Sequence, residues 1–251
     1  MTSQIHPSSY ISNKVSIGSN VYVGPFCNLD GNITISDGCI LKSHISITGK
    51  TKIDKNNTFF PFCNIGCDPQ DLKFKGEDSE LIIGANNIFR ENTTISKGTI
   101  DGGMVTKIGN NNLFMTGVHI AHDCKINNNN ILVNQVTLGG HVNIMDNVVV
   151  GGLSAIIQFV TIGSYSMIGG MSGIDKNVLP FSLAIGNRAR LRGLNLVGIR
   201  RNNFEKEEIK YISNIHENLK LLDKLIPGNK IDDIFIDYKT KMNEKLGHIQ
   251  K

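Results

Sequence analysis

The sequence IGNNNLFMTGVHIAHDCKI, residues 108–126, places a large apolar side chain at every sixth position, starting from its first residue. The same spacing runs through residues 5–65, 83–95 and 108–174. Neither the 3.6-residue period of an α-helix nor the two-residue period of an isolated strand produces this pattern. A period of six, with glycine often following the apolar residue, is typical of hexapeptide β-helix repeats. The sequence therefore predicts a mainly β fold, a parallel β-helix in which three hexads make one triangular coil.

A second inward position is predicted four residues after each large apolar residue, and small side chains occupy it. Four of the five cysteines fall at this position, namely Cys27, Cys39, Cys63 and Cys124. We therefore expect them to fill the core as thiols rather than to form disulfides or bind a metal. Cys67 lies outside the pattern and shows no partner spacing. Because buried free thiols are typical of a reducing compartment, the sequence predicts a cytoplasmic protein.

The composition excludes several classes of function. The chain has 251 residues and a formal net charge of +4. It has no polybasic run, so no nucleic-acid partner is expected. The first ten residues, MTSQIHPSSY, lack the features of a signal peptide. No stretch approaches the roughly 20 apolar residues of a transmembrane span, so none is predicted.

Two interruptions of the repeat are candidates for function, because excursions from a regular scaffold often carry binding or catalytic residues. Residues 71–82 insert a dozen residues and keep the phase, whereas residues 101–107 shift it by one. The first loop is the stronger candidate because of its polar side chains. We predict two domains: the β-helix over residues 1–186, and a connector with a C-terminal α-helical domain over residues 187–251.

The hexad pattern ends after Pro180, and residues 181–201 are predicted to form an irregular connector. The following segment, FEKEEIKYISNIHENLKLLDKLI, aligns five apolar residues on one helical face: Ile209, Ile212, Ile215, Leu219 and Leu222. Pro227 and Gly228 break this helix, and IDDIFIDYKTKMNEKL is predicted to form one further helix. We expect these helices to pack on the β-helix and to support a trimer.

The segment VHIAHDCKI, residues 118–126, is the strongest candidate for chemistry. His122 directly precedes Asp123, and His119 lies three residues earlier. An imidazole beside a carboxylate that fixes its tautomer is the minimal unit of a general base. His122 is therefore predicted to be the base and Asp123 its orienting carboxylate.

The 18-residue coil predicts what lies above His122. Gly140 and then Gln158 should stack over it, with His141 beside Gly140. A glycine at this place would let a ligand approach the backbone, whose free N–H could stabilise an oxyanion. We therefore predict that the Gly140 amide contributes to catalysis.

Six motifs together resemble one known family. In chain order they are NIGCDPQDLKFKGE, VHIAHDC, LGGHV, GGMSG, GNRARLRGLN and GIRRNNF. They are similar to the acyl-carrier-protein–UDP-N-acetylglucosamine O-acyltransferases that begin lipid A biosynthesis. The resemblance covers essentially the whole chain. It implies a homotrimer of left-handed parallel β-helices with C-terminal helices, and active sites between subunits. It also implies transfer of an (R)-3-hydroxyacyl group from acyl carrier protein to the sugar 3-hydroxyl, with no cofactor and no metal.

The resemblance also assigns roles to individual positions. It places the family's general base on His122, the orienting carboxylate on Asp123 and the oxyanion-hole amide on Gly140. It implies that Gly170, in GGMSG, lets an acyl tail of about fourteen carbons pass, where a bulky residue would shorten it. It places the sugar-nucleotide contacts on Gln70, Asp71, Lys73, His119, His141, Gln158, Asn195 and Arg201.

Five arginines near the end of the repeat supply a local positive field that exceeds the modest net charge. They are Arg188, Arg190, Arg192, Arg200 and Arg201. We predict that this cluster docks the acidic acyl carrier protein.

The chain departs from the family pattern at four positions, which are Ser96, Ile157, Arg188 and Val197. The positions of the base and the oxyanion amide are intact, so the reaction class is retained. The lost polar contacts leave open an acceptor with a 3-amino group. A hexapeptide acetyltransferase with a CoA donor, a zinc-dependent carbonic anhydrase and a purely structural β-helix are further alternatives. The carbonic anhydrase spaces its last two zinc ligands differently from His119 and His122.

Overall fold

The computed structural model describes residues 2–250, and its short strands form a parallel β-solenoid. The 26 strands of these residues are β1 Gln4–Ile5, β2 Tyr10–Ile11, β3 Val15–Ile17, β4 Tyr22–Val23, β5 Asn28–Ile35, β6 Ile40–Leu41, β7 Ser46–Ile53, β8 Thr58–Phe59, β9 Asn64–Cys67, β10 Glu80–Ile83, β11 Ile88–Phe89, β12 Thr94–Ser96, β13 Val105–Ile108, β14 Leu113–Phe114, β15 His119–Ile120, β16 Lys125–Ile126, β17 Ile131–Leu132, β18 Thr137–Leu138, β19 Asn143–Ile144, β20 Val149–Val150, β21 Ala155–Ile156, β22 Thr161–Ile162, β23 Met167–Ile168, β24 Gly173–Ile174, β25 Ser182–Ile185 and β26 Arg190–Leu194.

The strands line three faces of a prism. One face is an 11-stranded sheet in the order β1-β4-β6-β8-β11-β14-β17-β20-β23-β25-β26. A 15-stranded sheet covers the other two faces, because β5 and β7 each continue around the corner between them. Gly31 and Gly49 are paired at that corner, and a Cβ on Gly31 would lie 2.3 Å from the Gly49 oxygen. Only glycine permits so close an approach of the two backbones.

The strand register confirms the predicted coil of three hexads. Ile120 pairs with Leu138 and Leu138 with Ile156, each 18 residues further along the chain. These side chains are buried, and the rings of Phe59, Phe89 and Phe114 stack inside the prism at centroid separations of 4.7 and 4.9 Å. Because each coil covers the apolar residues of the one below, the core exists only in the stack.

The four cysteines that were predicted to fill the core are buried and free. Burial raises the pKa of the Cys63 and Cys124 thiols to about 12, so both are protonated at neutral pH. Cys67 is half-buried and also free.

Both predicted excursions are present, but their bounds differ from those expected. Ile53 pairs with Ile83 across an insertion of a dozen residues, and Ile83 pairs with Ile108 across a second insertion of seven. The first loop occupies residues 68–79 instead of 71–82, because Glu80–Ile83 already pairs as β10. The second occupies residues 97–104 instead of 101–107, because Val105–Ile108 already pairs as β13. In both cases pairing begins before the large apolar residue from which the hexads were counted.

The predicted irregular connector after Pro180 is ordered as regular structure, so that prediction was wrong. β25 and β26 pair antiparallel at the end of the 11-stranded sheet, and α1, Leu196–Arg201, follows. The boundary predicted at residue 186 falls in the turn between β25 and β26. The chain end then returns to the solenoid, where Ile249 packs into the core.

The remaining helices are shorter than the sequence predicted. α2 spans Lys206–Glu217 and buries Ile212 and Ile215, but it ends at Asn218. Asn218 caps a separate 3-10 helix, Leu219–Asp223, so Leu219 leaves the predicted face and is 41% exposed.

α3 spans Lys230–Lys241. The predicted last helix stops there, because Met242 is extended and a 3-10 turn, Glu244–Leu246, follows. α2 and α3 share a second apolar cluster that includes Phe181 and Phe235. No helix among residues 2–250 is long and apolar enough to span a membrane.

Candidate active site

The corner between β15 and β16 presents His122 and Asp123 at one edge of the prism. Asp123 adopts a left-handed backbone conformation with φ of 60°, which aspartate tolerates better than most residues. The corners of the next two coils repeat this geometry at His141 and Phe159. The backbone N–H of His141 donates to the oxygen of His122, and that of Phe159 donates to the oxygen of Gly140. The predicted columns of residues spaced by 18 are therefore present.

His122 and Asp123 form a buried pair. The Nδ1 of His122 lies 2.7 Å from Oδ2 of Asp123, and the two residues are 7% and 3% exposed. This contact uses Nδ1 and leaves Nε2 of His122 without a hydrogen-bond partner among residues 2–250. A neutral imidazole that donates from Nδ1 has its lone pair on Nε2, where a base needs it.

Gly140 lies directly over the His122 ring. A Cβ atom on Gly140 would lie 2.6 Å from Cε1 and 2.7 Å from Nε2 of His122. Within the part of the chain that the structure describes, the Gly140 N–H donates no hydrogen bond. A free backbone donor therefore sits beside the free nitrogen of the imidazole, which is the arrangement that acyl transfer requires.

His141 forms the wall next to this pair. Its ring stacks on Phe159 at 4.4 Å and meets the His122 ring edge-on at 5.1 Å. Burial lowers the pKa of His141, which the Asp123 carboxylate opposes. His141 therefore remains neutral at pH 7, so one ring nitrogen can donate a hydrogen bond and the other can accept one.

A cavity of about 550 Å³ opens over the pair. The first loop closes one side of it, and His122, His141 and Phe159 form part of the other. Five of the residues assigned to the sugar nucleotide lie together in its wall: Gln70, Asp71, Lys73, His141 and Gln158. Two residues that the sequence analysis did not assign, Leu72 and Asp101, also line it.

Two ion pairs join the first loop to the second. Lys97 lies 3.0 Å from Asp68 and covers the ring of Phe74, and Lys73 lies 3.6 Å from Asp101. Because Lys97 is nearly buried, the first pair fixes the base of the loop, whereas the exposed second pair is screened by solvent.

Three residues assigned to the substrate lie outside this cavity. His119 faces outward from β15 and makes a 2.7 Å hydrogen bond with Thr94, and burial lowers its pKa. Asn195 caps α1 by accepting from the N–H of Gly198, and its amide donates to the oxygen of Tyr165. Arg201 is exposed in the last turn of α1. A single chain does not bring these residues to His122.

Gly170 lies on a different edge of the prism from His122. It belongs to the column of Gly152, since the N–H of Met171 donates to the oxygen of Gly152. The separation from His122 is 48 residues, two coils and two further sides, which corresponds to about 13 Å along the axis at ~4.8 Å per coil.

The five arginines of the predicted docking cluster are exposed. Arg190 and Arg192 flank Leu191 on β26, where the pairing with β25 shifts register between Leu183 and Ala184. Arg188 lies in the turn before β26, and Arg200 and Arg201 end α1.

Of the four departures from the family pattern, Ile157 and Val197 are exposed side chains, at 47% and 61%, whereas Ser96 is buried. Arg188 is exposed. The structure thus presents apolar surface at two positions where the family has polar groups.

Only one group of three or more histidine, cysteine or acidic side chains within residues 2–250 is close enough to share a metal ion. It consists of His122, Asp123 and His141, whose ligand atoms lie within 4.8 Å of one another. Since Nδ1 of His122 is already bonded to the carboxylate, we interpret the cluster as arranged for proton transfer.

One contact at this site was not anticipated from the sequence. Thr99, in the second loop, donates two hydrogen bonds to the Asp123 carboxylate. The residue lies 24 positions before Asp123, outside the 18-residue period, so counting coils could not find it.

Comparisons with known proteins identify the fold and the family of the chain. A family model described as bacterial transferase hexapeptide (six repeats) matches residues 106–140. A second, described as UDP N-acetylglucosamine O-acyltransferase, domain 2, matches residues 177–234.

Curated relatives extend the match over most of the chain. An acyl-[acyl-carrier-protein]–UDP-N-acetylglucosamine O-acyltransferase of Rickettsia bellii is 61% identical over 82% of this chain and 73% of the relative. The protein of the same name from Rickettsia canadensis is 51% identical over 99% of both chains.

Solved structures are similar over the same length. The UDP-N-acetylglucosamine acyltransferase of Francisella novicida has a TM-score of 0.93 at 32% identity, with 99% of this chain and 94% of the other covered. That of Moraxella catarrhalis has a TM-score of 0.89 at 36% identity, with 98% and 99% covered.

Proposed function

The chain belongs to the acyl-[acyl-carrier-protein]–UDP-N-acetylglucosamine O-acyltransferase family, and we propose that His122 is the base of the reaction it catalyses. The enzyme is an acyltransferase that moves an acyl group from acyl carrier protein to UDP-N-acetylglucosamine, at the start of lipid A biosynthesis. The acyl group we propose is (R)-3-hydroxyacyl, with about fourteen carbons, and the acceptor is the sugar 3-hydroxyl. The observation that carries the proposal is the buried His122–Asp123 pair beneath the free amide of Gly140.

The proposed chemistry follows from the two free groups. The Nε2 of His122 takes the proton from the sugar 3-hydroxyl as its oxygen attacks the thioester carbonyl carbon. The imidazolium that forms is stabilised by Asp123, 2.7 Å from Nδ1. The tetrahedral oxyanion accepts a hydrogen bond from the Gly140 N–H. Its collapse breaks the C–S bond, and the carrier thiolate recovers the proton from His122.

We propose that the residues of the first loop bind the nucleotide. Gln70, Asp71 and Lys73 line the cavity opposite His141 and Gln158. The ammonium of Lys73 is exposed, so its ion pair with Asp101 can be replaced by an ion pair with the pyrophosphate of the substrate. A diphosphate offers several charged oxygens to such a cation, whereas Asp101 offers one carboxylate.

We propose a homotrimer that completes the site. Most outward side chains of the 11-stranded sheet are apolar and form a stripe that Thr58 interrupts, and such surfaces are typical of subunit interfaces. In a closed ring this face would meet a different face of the next subunit. Leu72, fully exposed at the tip of the first loop, also suits contact with a neighbour. The stripe comprises Tyr22, Ile40, Ile88, Leu113, Ile131, Val149, Met167 and Leu183.

The trimer would also account for the three residues that lie outside the cavity. His119, Asn195 and Arg201 would reach a substrate only between two subunits. Light scattering should show a trimer, and an active monomer would contradict this part of the proposal. As the cysteines suggest, we place the enzyme in the cytoplasm.

The test is product analysis. The protein is incubated with UDP-N-acetylglucosamine and a panel of (R)-3-hydroxyacyl carrier proteins, and the products are identified by mass. We expect O-acylated UDP-N-acetylglucosamine, and His122→Ala should reduce its rate by roughly 10²–10⁴-fold while nucleotide affinity is retained. A variant with more than about a tenth of the wild-type kcat would contradict the role of His122.

Reactions with two other substrates test the alternative functions. The apolar surface at Ile157 gives a reason to include the 3-amino analogue of the sugar nucleotide. A faster reaction with that analogue would show amide formation to be the function. Turnover with acetyl-CoA in place of the carrier thioester would show a CoA-dependent acetyltransferase instead.

A further inference from the structure

We propose that the second loop, residues 97–104, holds the carboxylate of Asp123 in position for catalysis, and that Thr99 is the positioning residue. The inference rests on the proposed role of the His122–Asp123 pair. It assigns a function to an excursion that contributes only Asp101 to the wall of the cavity over His122.

The loop replaces one particular corner of the solenoid. β12 pairs with β15 and β13 pairs with β16, so the chain between β12 and β13 lies one coil below the His122–Asp123 corner. A regular corner would have run directly beneath Asp123. The seven extra residues instead let the chain fold back, through a 3-10 turn at Ile100–Gly102, against the carboxylate.

Thr99 donates two of the three hydrogen bonds that this carboxylate accepts within residues 2–250, and His141 Nε2 lies 3.9 Å from Oδ2. The Thr99 N–H donates to Oδ1 at 2.9 Å, and the Thr99 hydroxyl donates to Oδ2 at 2.6 Å. The third contact is His122 Nδ1, which shares Oδ2 at 2.7 Å. Both oxygens are therefore fixed, and rotation of the carboxylate would break at least one of these bonds. A buried carboxylate that lacked them would be costly to desolvate.

Thr99 is itself held rigidly. It is 4% exposed, and its carbonyl oxygen accepts from the N–H groups of Gly102 and Met104. On the opposite side, the backbone N–H of Asp123 donates to the hydroxyl of Thr106 at 2.7 Å. The second loop thus holds the carboxylate of Asp123, and strand β13, through Thr106, holds the Asp123 backbone.

Gly102 lets the loop approach so closely. A Cβ atom at this position would overlap the carboxylate group of Asp123. The next residue, Gly103, has no atom within 4 Å of its own Cβ position, but its φ of 87° favours glycine. Glycine at residue 102 is therefore required by the contact with Asp123, whereas glycine at residue 103 is favoured by the backbone conformation.

Thr99 acts through Asp123 and not on the substrate. Its hydroxyl points to the carboxylate, and Thr99 does not line the cavity over His122. Loss of the hydroxyl would leave Oδ2 with the hydrogen bond from His122 alone, so that only the Thr99 N–H at Oδ1 would still oppose rotation of the carboxylate. The imidazole would then sample orientations in which Nε2 does not face the acceptor hydroxyl, which lowers kcat but not nucleotide binding.

The first test compares three threonine variants. We expect Thr99→Val to lower kcat by about 10- to 100-fold, as is usual for partners that orient a catalytic group, with KM for UDP-N-acetylglucosamine within about twofold of wild type. Thr99→Ser keeps the hydroxyl and should restore kcat to within about threefold. Thr93→Val is the control, because Thr93 is also buried and its hydroxyl donates only to the oxygen of Arg90.

The second test is a double-mutant cycle with Asp123→Asn. If Thr99 acts through the carboxylate, Thr99→Val should change kcat by less than about twofold in the Asp123→Asn background. An equal factor in both backgrounds would overturn the proposal, because Thr99 would then act independently of Asp123. A kcat for Thr99→Val no lower than that of Thr93→Val would overturn it as well.

The glycine pair separates the contact from a general disturbance of the loop. Gly102→Ala should lower kcat at least as much as Thr99→Val, and Gly103→Asn should not, because asparagine tolerates the φ of 87° at this open position. Equal losses would overturn the proposal. His122→Ala is measured alongside: if it retains activity, the proposed base is wrong, whereas if only the Thr99 and Gly102 variants retain activity, the role of the loop is wrong and that of the base stands.

Discussion

Gly140 and His122 are in such close contact that no side chain could stand between them: a Cβ atom on Gly140 would lie 2.6 Å from Cε1 of His122. Gly140 does not have a positive φ, so the requirement for glycine is one of space and not of backbone conformation. The Gly140 N–H donates no hydrogen bond within residues 2–250. One residue thus permits the position of the base and keeps an unpaired amide beside it.

We expect Gly140→Ala to lower kcat by at least about 10²-fold. The methyl group would displace the imidazole of His122, so that Nε2 no longer faces the acceptor hydroxyl, and it would crowd the oxyanion site. Steady-state kinetics with the carrier thioester measures the loss. Nucleotide affinity by calorimetry and the unfolding midpoint serve as controls. An alanine variant with near-normal kcat would show that the ring does not need its present position.

The columns of the solenoid were predictable because the period of six fixes which residues stack. Ile120, Leu138 and Ile156 pair as counted, and the same arithmetic placed Gly140 over His122. The corner at His122–Asp123 could be predicted because both residues lie inside a regular coil. Sequence periodicity therefore predicts well wherever the backbone repeats.

The parts that were missed lie where the repeat stops. Thr99 belongs to an insertion, so no count of coils relates it to Asp123. The ordered β26 and the short α2 depend on contacts with the end of the solenoid and on the Asn218 cap, which are tertiary and local features without a period.

Charge reversal at Arg190 and Arg192 should raise KM for the carrier thioester. Both side chains are exposed on β26, where glutamates would repel an acidic protein. The effect should shrink as salt is added, since exposed charges are screened beyond about 8 Å at physiological ionic strength. Rates at several salt concentrations provide the measurement. The outcome that rules out docking here is an unchanged carrier KM together with unchanged salt dependence.

The stability of the fold should fall as the pH is lowered through the range below about 6.5, the usual pKa of histidine. Burial lowers the pKa of His119, His141 and His248, so the unfolded chain binds more protons than the fold in that range. Above the usual value all three are neutral in both states, and below the lowered values the dependence ends.

The comparison that isolates one histidine is His119→Gln. Glutamine can still accept from the Thr94 hydroxyl, 2.7 Å from Nδ1, but it does not titrate. The difference in unfolding midpoint between pH 8 and pH 5.5 should therefore be smaller for the variant than for the wild type. Equal differences would mean that His119 is as easily protonated in the fold as in the unfolded chain.

The edge that carries Gly170 is exposed, and the absence of a side chain at this residue leaves room for an acyl chain to pass. A Cβ on Gly170 would lie 3.3 Å from the Gly152 oxygen, which is tight but tolerable, so a larger residue could be built there and would project from the exposed corner. Gly169 differs, because its Cβ would come within 2.8 Å of Ile185. Close packing thus explains Gly169, and leaves Gly170 available to an acyl tail.

Gly170→Met should therefore shift the donor preference from about fourteen carbons towards about ten, because the thioether chain would occupy the end of the path. The axial rise of about 13 Å from His122, plus the step to the next edge, suits an extended chain of roughly a dozen methylenes. Rates with 3-hydroxydecanoyl and 3-hydroxymyristoyl carrier proteins give the ratio, and Gly170→Ala should lie between the wild type and the methionine variant. Unfolding midpoints of both variants control for damage to the corner. A wild type that prefers the ten-carbon donor, or a ratio that methionine leaves unchanged, would mean that chain length is measured elsewhere.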